Sequence, residues 1–270
     1  MKKCDCTLCK FENPKVSTAA IIIKDQKLLV AKRLEEPFKG MWDFFGGYLT
    51  KGETPGVAHR REIKEELGVD SETTFLGSFP GTASYKEYEF PVINFAYLTE
   101  LKGEPKLNTK ENSEYKWVPI SELKEVAFDS NMKILKFVKE KFTYDLGKVK
   151  DLIAQLDPSA VFNEQSLYKA MFNGYVSKVE EGGKLLGMGW IFPRQTLLRR
   201  QAVVEDMIVD ESQRGKGLGE KILLDLIGWC RKEGMEVVEL TTNPKRIAAN
   251  SLYQKVGFKL HPTNHYLLNL

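Results

Sequence analysis

GGYLTKGETPGVAHRREIKEELGV, residues 46–69, decides how the first half of this 270-residue chain is read. Thr54 followed by Pro55 supplies a hydroxyl cap and a first-turn proline, and Gly68 after Leu67 supplies a stop, so the stretch between them is predicted to be a helix. On that helix Glu62, Glu65 and Glu66 stand at i, i+3 and i+4 and project from one face. Like charges at this spacing destabilise a helix unless something neutralises them, and a divalent cation is the obvious candidate. Clustered carboxylate oxygens suit Mg²⁺ or Mn²⁺ held together with substrate phosphates. Arg61, four residues before Glu65, can keep the cluster in register, and Glu53, just ahead of the cap, can reach the same cation. Gly46 and Gly47 let the backbone approach it closely because no Cβ intervenes. The competing reading is an ordinary solvated charged face.

Working outward, 42% hydrophobic residues and a formal charge of +3 fit a globular protein of about two domains. Apolar runs such as AAIII (19–23) and ILLDLI (222–227) fall far short of the roughly 20 residues that span a bilayer. The amino terminus, MKKCDCTLCKFEN, holds no apolar stretch of the signal-peptide kind, so no membrane partner and a cytoplasmic location are the expectations. Forty basic against 37 acidic residues leave no basic stripe, so nucleic acid is not an expected partner. Cys230 shares the apolar stripe of Leu223, Leu226 and Ile227 and reads as a core thiol.

STAAIII (17–23) and KLLVAKR (27–33), separated by KDQ, read as the two strands of a hairpin. After the motif helix come strand-like segments near 74–79, 89–100 and 114–120, then a helix from about Ser130 with Ile134, Leu135, Val138 and Phe142 on one face. This is a mixed α+β domain with helices on a largely antiparallel sheet. Past Phe142 the pattern restarts, with helices carrying Val149, Leu152, Ile153 and Leu156 and at about 163–172, then strands near 173–180, 183–193 and 202–209. Three segments result: a cysteine-bearing tail over 1–15, one domain over 16–142 and a second, unlike domain over 143–270.

In the second domain VVEDMIVDESQRGKGLGEKILLDLIGWC (203–230) runs strand, glycine-rich turn, amphipathic helix. Arg214, Gly215, Lys216, Gly217, Leu218 and Gly219 would present successive backbone N–H groups at a helix amino terminus, a ready anion site.

Gly47, Glu53, Arg61, Glu62, Ile63, Glu65, Glu66, Gly68 and Val69 match the Nudix box at every fixed position, and the stretch 16–142 resembles that family. The resemblance implies an α/β/α sandwich with a mixed sheet. It also implies Mg²⁺- or Mn²⁺-dependent hydrolysis of a nucleoside diphosphate linked to another group. Glu62 and Glu66 would be the main metal ligands, with Glu65 and the carbonyl of Gly46 completing the set. The chain departs from the family in carrying Phe45 where proline is usual. Glu53, Glu62 or Glu111, in the loop TKENSEYKW, would serve as general base, Glu111 being otherwise an ordinary loop acid. Arg33 and Trp42 could contact phosphate and base, and Arg61 belongs to the same substrate-facing set. ADP-ribose or an NADH-like dinucleotide is the first expected substrate and nucleoside triphosphates the second. CDCTLC offers three thiolates, Cys4, Cys6 and Cys9, one short of a closed zinc site. The Cys6–Cys9 spacing resembles the second knuckle of the ribbon that precedes some NADH-cleaving members, so Zn²⁺ is weighed there against a frayed tail.

Arg214, Gly217 and Gly219 match the pyrophosphate-binding pattern of the GNAT acetyltransferases, and AANSLYQKVGF (248–258) resembles that family's closing helix and strand. The resemblance covers 143–270 and implies a mixed, mostly antiparallel central sheet flanked by helices. Acetyl-CoA would be the donor, with the amides of Ile208 and Val209 on its pantetheine arm and those of Gly215 to Gly219 on its diphosphate. Tyr253 would be the general acid and Glu205 a possible base. Asn250 could contact CoA, although Arg246 stands where the family more often has asparagine. The chain then reads as a bifunctional enzyme with an unknown amine acceptor. In the alternative only one half is catalytic and the other is a nucleotide- or CoA-sensing module.

Overall fold

The computed structural model describes residues 13–85, 88–110 and 112–268. Cys4, Cys6, Cys9 and Glu111 lie outside the described residues. The chain divides into two compact units, one of Met1–Tyr144 with Glu164–Lys169, the other of Asp145–Asn163 with Ala170–Leu270. Glu164–Lys169, inside the segment 143–270 expected to form the second domain, thus packs with the first unit. Tyr168 explains it, being fully buried edge-on against Phe142, with its hydroxyl accepting from Gln26 Nε2 at 2.7 Å.

In the first unit β1 (Lys15–Ile21) runs parallel to β6 (Tyr88–Leu101), which pairs antiparallel with β5 (Ser71–Tyr85). A second sheet holds β2 (Ile23–Lys24), β3 (Lys27–Arg33) and β4 (Trp42–Asp43), with β7 (Asn112–Pro119) on β3. The predicted hairpin is corrected here: only β2 and β3 form it, because the run 17–23 changes sheets at Ile22. Ile21, Ile22 and Ile23 are all buried, so local periodicity carried no sign of the switch. The strand pairs of this unit are antiparallel except β1/β6, and that one parallel pair makes the arrangement mixed, as expected. Helix α1 (Pro55–Leu67) packs on β1 and β5, and α2 (Asp129–Phe142) on β5 and β6.

The second unit is a four-stranded sheet in the order β11 (Val237–Leu240), β10 (Arg200–Val209), β9 (Lys184–Gln195), β8 (Tyr175–Glu181). Only β10 and β11 are parallel. Helix α5 (Leu218–Lys232) lays Ile222, Leu223, Leu226 and Cys230 onto Val179, Ile191, Ala202 and Val204. Cys230 is the expected core thiol, and burial pushes it up to about 11. Helix α3 (Leu146–Leu156) packs on β9 and β10, while α4 covers Glu164–Asn173 and α6 Ile247–Val256. After Gly257 no strand forms among the described residues, which corrects the closing strand expected there.

Candidate active sites

The first site is built where the glycine elbow meets α1. Thr54 accepts from the Val57 amide at 3.4 Å and Gly68 ends the helix at φ 69°, the left-handed value that favours glycine. The elbow is strapped to β1 by Ala20 N donating to Phe45 O (2.8 Å) and Thr18 N to Gly47 O (2.9 Å). Phe45 lies in the core with Ala20, Ile22, Leu29, Ile63 and Leu67, so an apolar anchor does the work of a stiff proline. A Cβ on Gly46 would fall 2.1 Å from Thr18 O, and one on Gly47 would fall 2.5 Å from Glu62 Oε1. A side chain at Gly46 would strike the backbone of β1, and one at Gly47 would fill the space beside the Glu62 carboxylate.

Three of the expected acids gather around one cation, and that cation is Arg61. Its Nε donates to Glu53 Oε1 (2.7 Å), its Nη2 to Glu53 Oε2 (2.9 Å), and its Nη1 to Glu62 Oε1 (2.8 Å) and Glu65 Oε2 (3.1 Å). The hydrogen bonds that Arg61 donates hold Glu53 down at about 2, and the same bonds push Arg61 up in return. Glu66 departs from the expected single face. It turns inward, taking Gly46 N–H on Oε2 at 2.7 Å and Asn112 Nδ2 on Oε1 at 2.8 Å, and is buried, whereas Glu65 is 57% exposed. Among the described residues no three His, Cys, Asp or Glu side chains converge as a ready metal cage. The donor set nonetheless suits a hard cation: a guanidinium already stands among three carboxylates, in a cradle free of Cβ atoms.

Arg33 and Trp42 are engaged elsewhere. Arg33 donates to Pro37 O (3.1 Å) and Asp43 Oδ2 (3.4 Å) and lies 4.7 Å above the Phe128 ring. Trp42 carries the ammonium of Lys116 at 4.0 Å from its ring centre. Asp43 is buried, accepts from Asn131 Nδ2 at 2.5 Å, and is raised by that burial to about 7. Sequence reading missed Asn112 and the Asp43–Asn131 pair because their partners are 46 and 88 residues away, beyond any local pattern.

The second site opens where β10 and β11 part. Their parallel register runs from Gln201/Val237 to Val204/Leu240, after which β10 bulges between Glu205 and Ile208 while β9 stays paired through Val209. Asp206 sits in the bulge at φ 46°, a conformation that suits Asp or Asn among residues with a Cβ. The parting leaves a cleft of about 250 Å³, into which Glu205, Asp206, Thr241, Thr242 and Tyr253 face. Beyond Val209 the chain enters the glycine-rich turn, with Gly215 and Gly217 at φ 81° and 78°. Gly217 then caps α5, so the amides of Leu218 and Gly219 begin a helix. Arg214 Nε bonds Val209 O (3.3 Å) and Lys216 Nζ bonds Gln213 Oε1 (2.7 Å). Asn250 spends its amide on the carbonyls of Asn243 (3.1 Å) and Arg246 (3.0 Å).

Asp210, which the sequence reading passed over, ties this turn down. Its carboxylate accepts from Ser212 N (3.0 Å), Ser212 Oγ (2.6 Å) and Lys148 Nζ, and Gln155 Oε1 takes the Glu211 amide at 2.9 Å. The Lys148 bond is the largest cause of the lowered Asp210 pKa. The Asp210–Ser212 spacing of a capped turn is the one local signal that could have revealed it.

Known proteins agree with this division. The NUDIX domain family matches residues 13–139, and the acetyltransferase (GNAT) family matches 148–258. An ADP-ribose pyrophosphatase of Methanocaldococcus jannaschii is 30% identical over 132 residues, covering 48% of this chain and 77% of that protein. An RNA pyrophosphohydrolase of Nitratiruptor sp. is 34% identical over 125 residues, covering 40% and 79%. The uncharacterized N-acetyltransferase YvbK of Bacillus subtilis is 30% identical over 133 residues, covering 47% and 80%. The chain therefore belongs to both families, as an enzyme in which a Nudix domain is followed by a GNAT acetyltransferase domain.

Proposed function

We propose that the Nudix domain uses Mg²⁺ or Mn²⁺ to hydrolyse a nucleoside diphosphate linked to another group, with ADP-ribose or an NADH-like dinucleotide first and triphosphates second. We further propose that the GNAT domain moves acetyl from acetyl-CoA to an amine. The observation that carries the first half is the Arg61-centred set of Glu53, Glu62 and Glu65 beside the Cβ-free elbow. The likeness to an ADP-ribose pyrophosphatase orders the substrates.

Glu62, Glu65, Glu66 and the Gly46 carbonyl would hold the ion, which when bound neutralises the diphosphate and acidifies an attacking water. The chain's own part is to keep the ligands in place. The Gly46 amide and Asn112 fix Glu66, while Arg61 neutralises Glu62 and Glu65 and keeps Glu53 ionised. In the second domain the amine attacks the thioester carbonyl and the C–S bond breaks. Burial raises Glu205, which makes it a better proton acceptor, and raises Tyr253, which keeps its hydroxyl protonated for the departing thiolate. Both line the one cleft. Glycines 215 and 217, Arg214 and the start of α5 offer the diphosphate site, with Ile208 and Val209 on the exposed side of β10 for the pantetheine arm. A cytoplasmic location fits this chemistry. Among the described residues no helix is long and apolar enough to cross a membrane.

The test incubates the full chain with Mg²⁺ and ADP-ribose, NADH and nucleoside triphosphates in turn, following phosphate-bearing products, then repeats the panel with Glu66→Gln. Turnover of a dinucleotide that disappears in a folded Glu66→Gln is expected. Binding without product would leave the sensing-module reading in its place.

A further inference from the structure

We infer that the acetyl acceptor is a small cationic amine bearing no phosphate or carboxylate, bound as its ammonium by Glu205 and Asp206. This rests on the acetyltransferase reading of the same cleft. The cleft is located by the parting of β10 from β11 and by the empty volume there, independently of any charge. Its polar lining then selects the guest. Four charged side chains line it: Asp157, Glu205, Asp206 and Arg246. Arg246 and Asp157 offset one another in charge. Arg246 donates to Leu156 O at 3.2 Å and lies near Asp157, whose carboxylate accepts Ser159 N at 2.9 Å and Ser159 Oγ at 2.7 Å.

Three groups remain, from two elements: the carboxylates of Glu205 and Asp206 on β10, and the hydroxyl of Tyr253 on α6. None of the three makes a hydrogen bond or ion pair among the described residues; Glu205 and Tyr253 are half-buried while Asp206 is exposed, and all three are shifted upward, with desolvation the largest cause. Glu205 is raised further by its neighbour Asp206, and His265 alone pulls it back down. Polar groups that converge on one cavity without protein partners, two of them half-buried, are met by a ligand that supplies what they lack. Two carboxylates, offset in part by the charge of His265, favour an ammonium over an acceptor that carries an anion beside its nitrogen.

The transfer balances with these groups. The bound R–NH₃⁺ gives one proton to Glu205, and R–NH₂ attacks the acetyl carbonyl. The C–S bond breaks as the N–C bond forms, and the CoA thiolate leaves with the proton of Tyr253. The nitrogen, now bonded to the acetyl carbon, loses its second proton to the Tyr253 phenolate and the proton on Glu205 passes to solvent, so the net release is one H⁺ with one CoA thiol.

The experiment measures thiol release from acetyl-CoA by the full chain across paired amines, each cation beside the same skeleton carrying a phosphate or carboxylate. Wild type should turn over the cations at least ten-fold faster in kcat/KM. Asp206→Asn keeps a residue suited to the positive φ, and should raise the amine KM about ten-fold while leaving the acetyl-CoA KM in place. Added salt should weaken the cation's kcat/KM. Equal or preferred use of the anionic partners, or an Asp206→Asn enzyme with unchanged amine KM, would overturn the cation assignment. Absence of both thiol release and calorimetric acetyl-CoA binding would instead overturn the acetyltransferase reading beneath it.

Discussion

The acids of α1 and those of the bulge in β10 are the same chemical groups in opposite states. Glu53, Glu62, Glu65 and Glu66 are each met by Arg61, Asn112 or a backbone amide, whereas Glu205 and Asp206 accept no side-chain hydrogen bond and form no ion pair among the described residues. The first group is held in place by the chain's own residues, so a cation bound there, as proposed, would find its ligands already placed. The second keeps its charges unspent, so the guest supplies the counter-charge. A satisfied carboxylate site is a matter of geometry, and an unsatisfied one a matter of selectivity.

Removing a partner from the satisfied set should test the contrast most severely. Asn112→Ala leaves Glu66 Oε1 buried without its donor, which should lower metal affinity about 10- to 100-fold and cost roughly 1–3 kcal/mol of stability. Mn²⁺ titration by electron paramagnetic resonance, beside denaturant melts, reads both. Unchanged Mn²⁺ binding would mean that Glu66 is not held for a metal.

The second unit has its own satisfied acid, Asp210. Lys148→Met should loosen the turn below Gly215–Gly219 and raise the acetyl-CoA KM about ten-fold with less change in the amine KM, the reverse of the split expected for Asp206→Asn. Steady-state kinetics with each substrate varied in turn separate the two.

Arg61→Gln turns the satisfied cage into an unsatisfied one. Without metal the melting temperature should fall by a few degrees, and the gain on adding Mg²⁺ should be larger than in wild type. Thermal melts with and without the ion decide it.

The smallest effect lies in the pH dependence of two buried groups in the first unit. Burial raises Asp43 from 3.8 to about 7, so its contribution is full below about pH 4 and is lost as pH rises to 7. Burial lowers His59 from 6.5 to about 3, so its contribution is present above about pH 6.5 and is lost as pH falls toward 3. Between about pH 4 and 6.5 the two slopes oppose each other. Asp43→Asn should therefore leave a protein that loses stability as pH falls through that window, and His59→Asn one that loses it as pH rises. Melting temperatures at half-unit pH steps check both, and parallel curves for the two variants would break the account.

Legibility followed the range of the interactions involved. The cap at Thr54, the stop at Gly68 and the left-handed glycines 215 and 217 were readable, because caps and φ preferences act within a few residues. The hairpin of β2 and β3 was half readable. Its strands were found, but the handover of residues 17–21 to a parallel partner at 94–98 depends on a pairing more than 70 residues away. β11 was missed because four half-buried residues leave no periodic trace. Arg33 and Trp42 carried side chains suited to phosphate and base, yet the fold gives them to Asp43, Pro37, Phe128 and Lys116.

By itself the sequence determined which chemical groups are present and on which short elements they sit. Four glutamates flank a glycine elbow, and a glycine-rich turn opens an amphipathic helix, because backbone propensity and helical periodicity are local. Only the tertiary structure decided which of those charges are met. Asn112 reaches Glu66, and Lys148 reaches Asp210, but no side-chain hydrogen bond or ion pair among the described residues reaches Glu205 and Asp206. Pairing a buried charge depends on what lies within about 3 Å of it in space, and the order of residues along the chain does not state that.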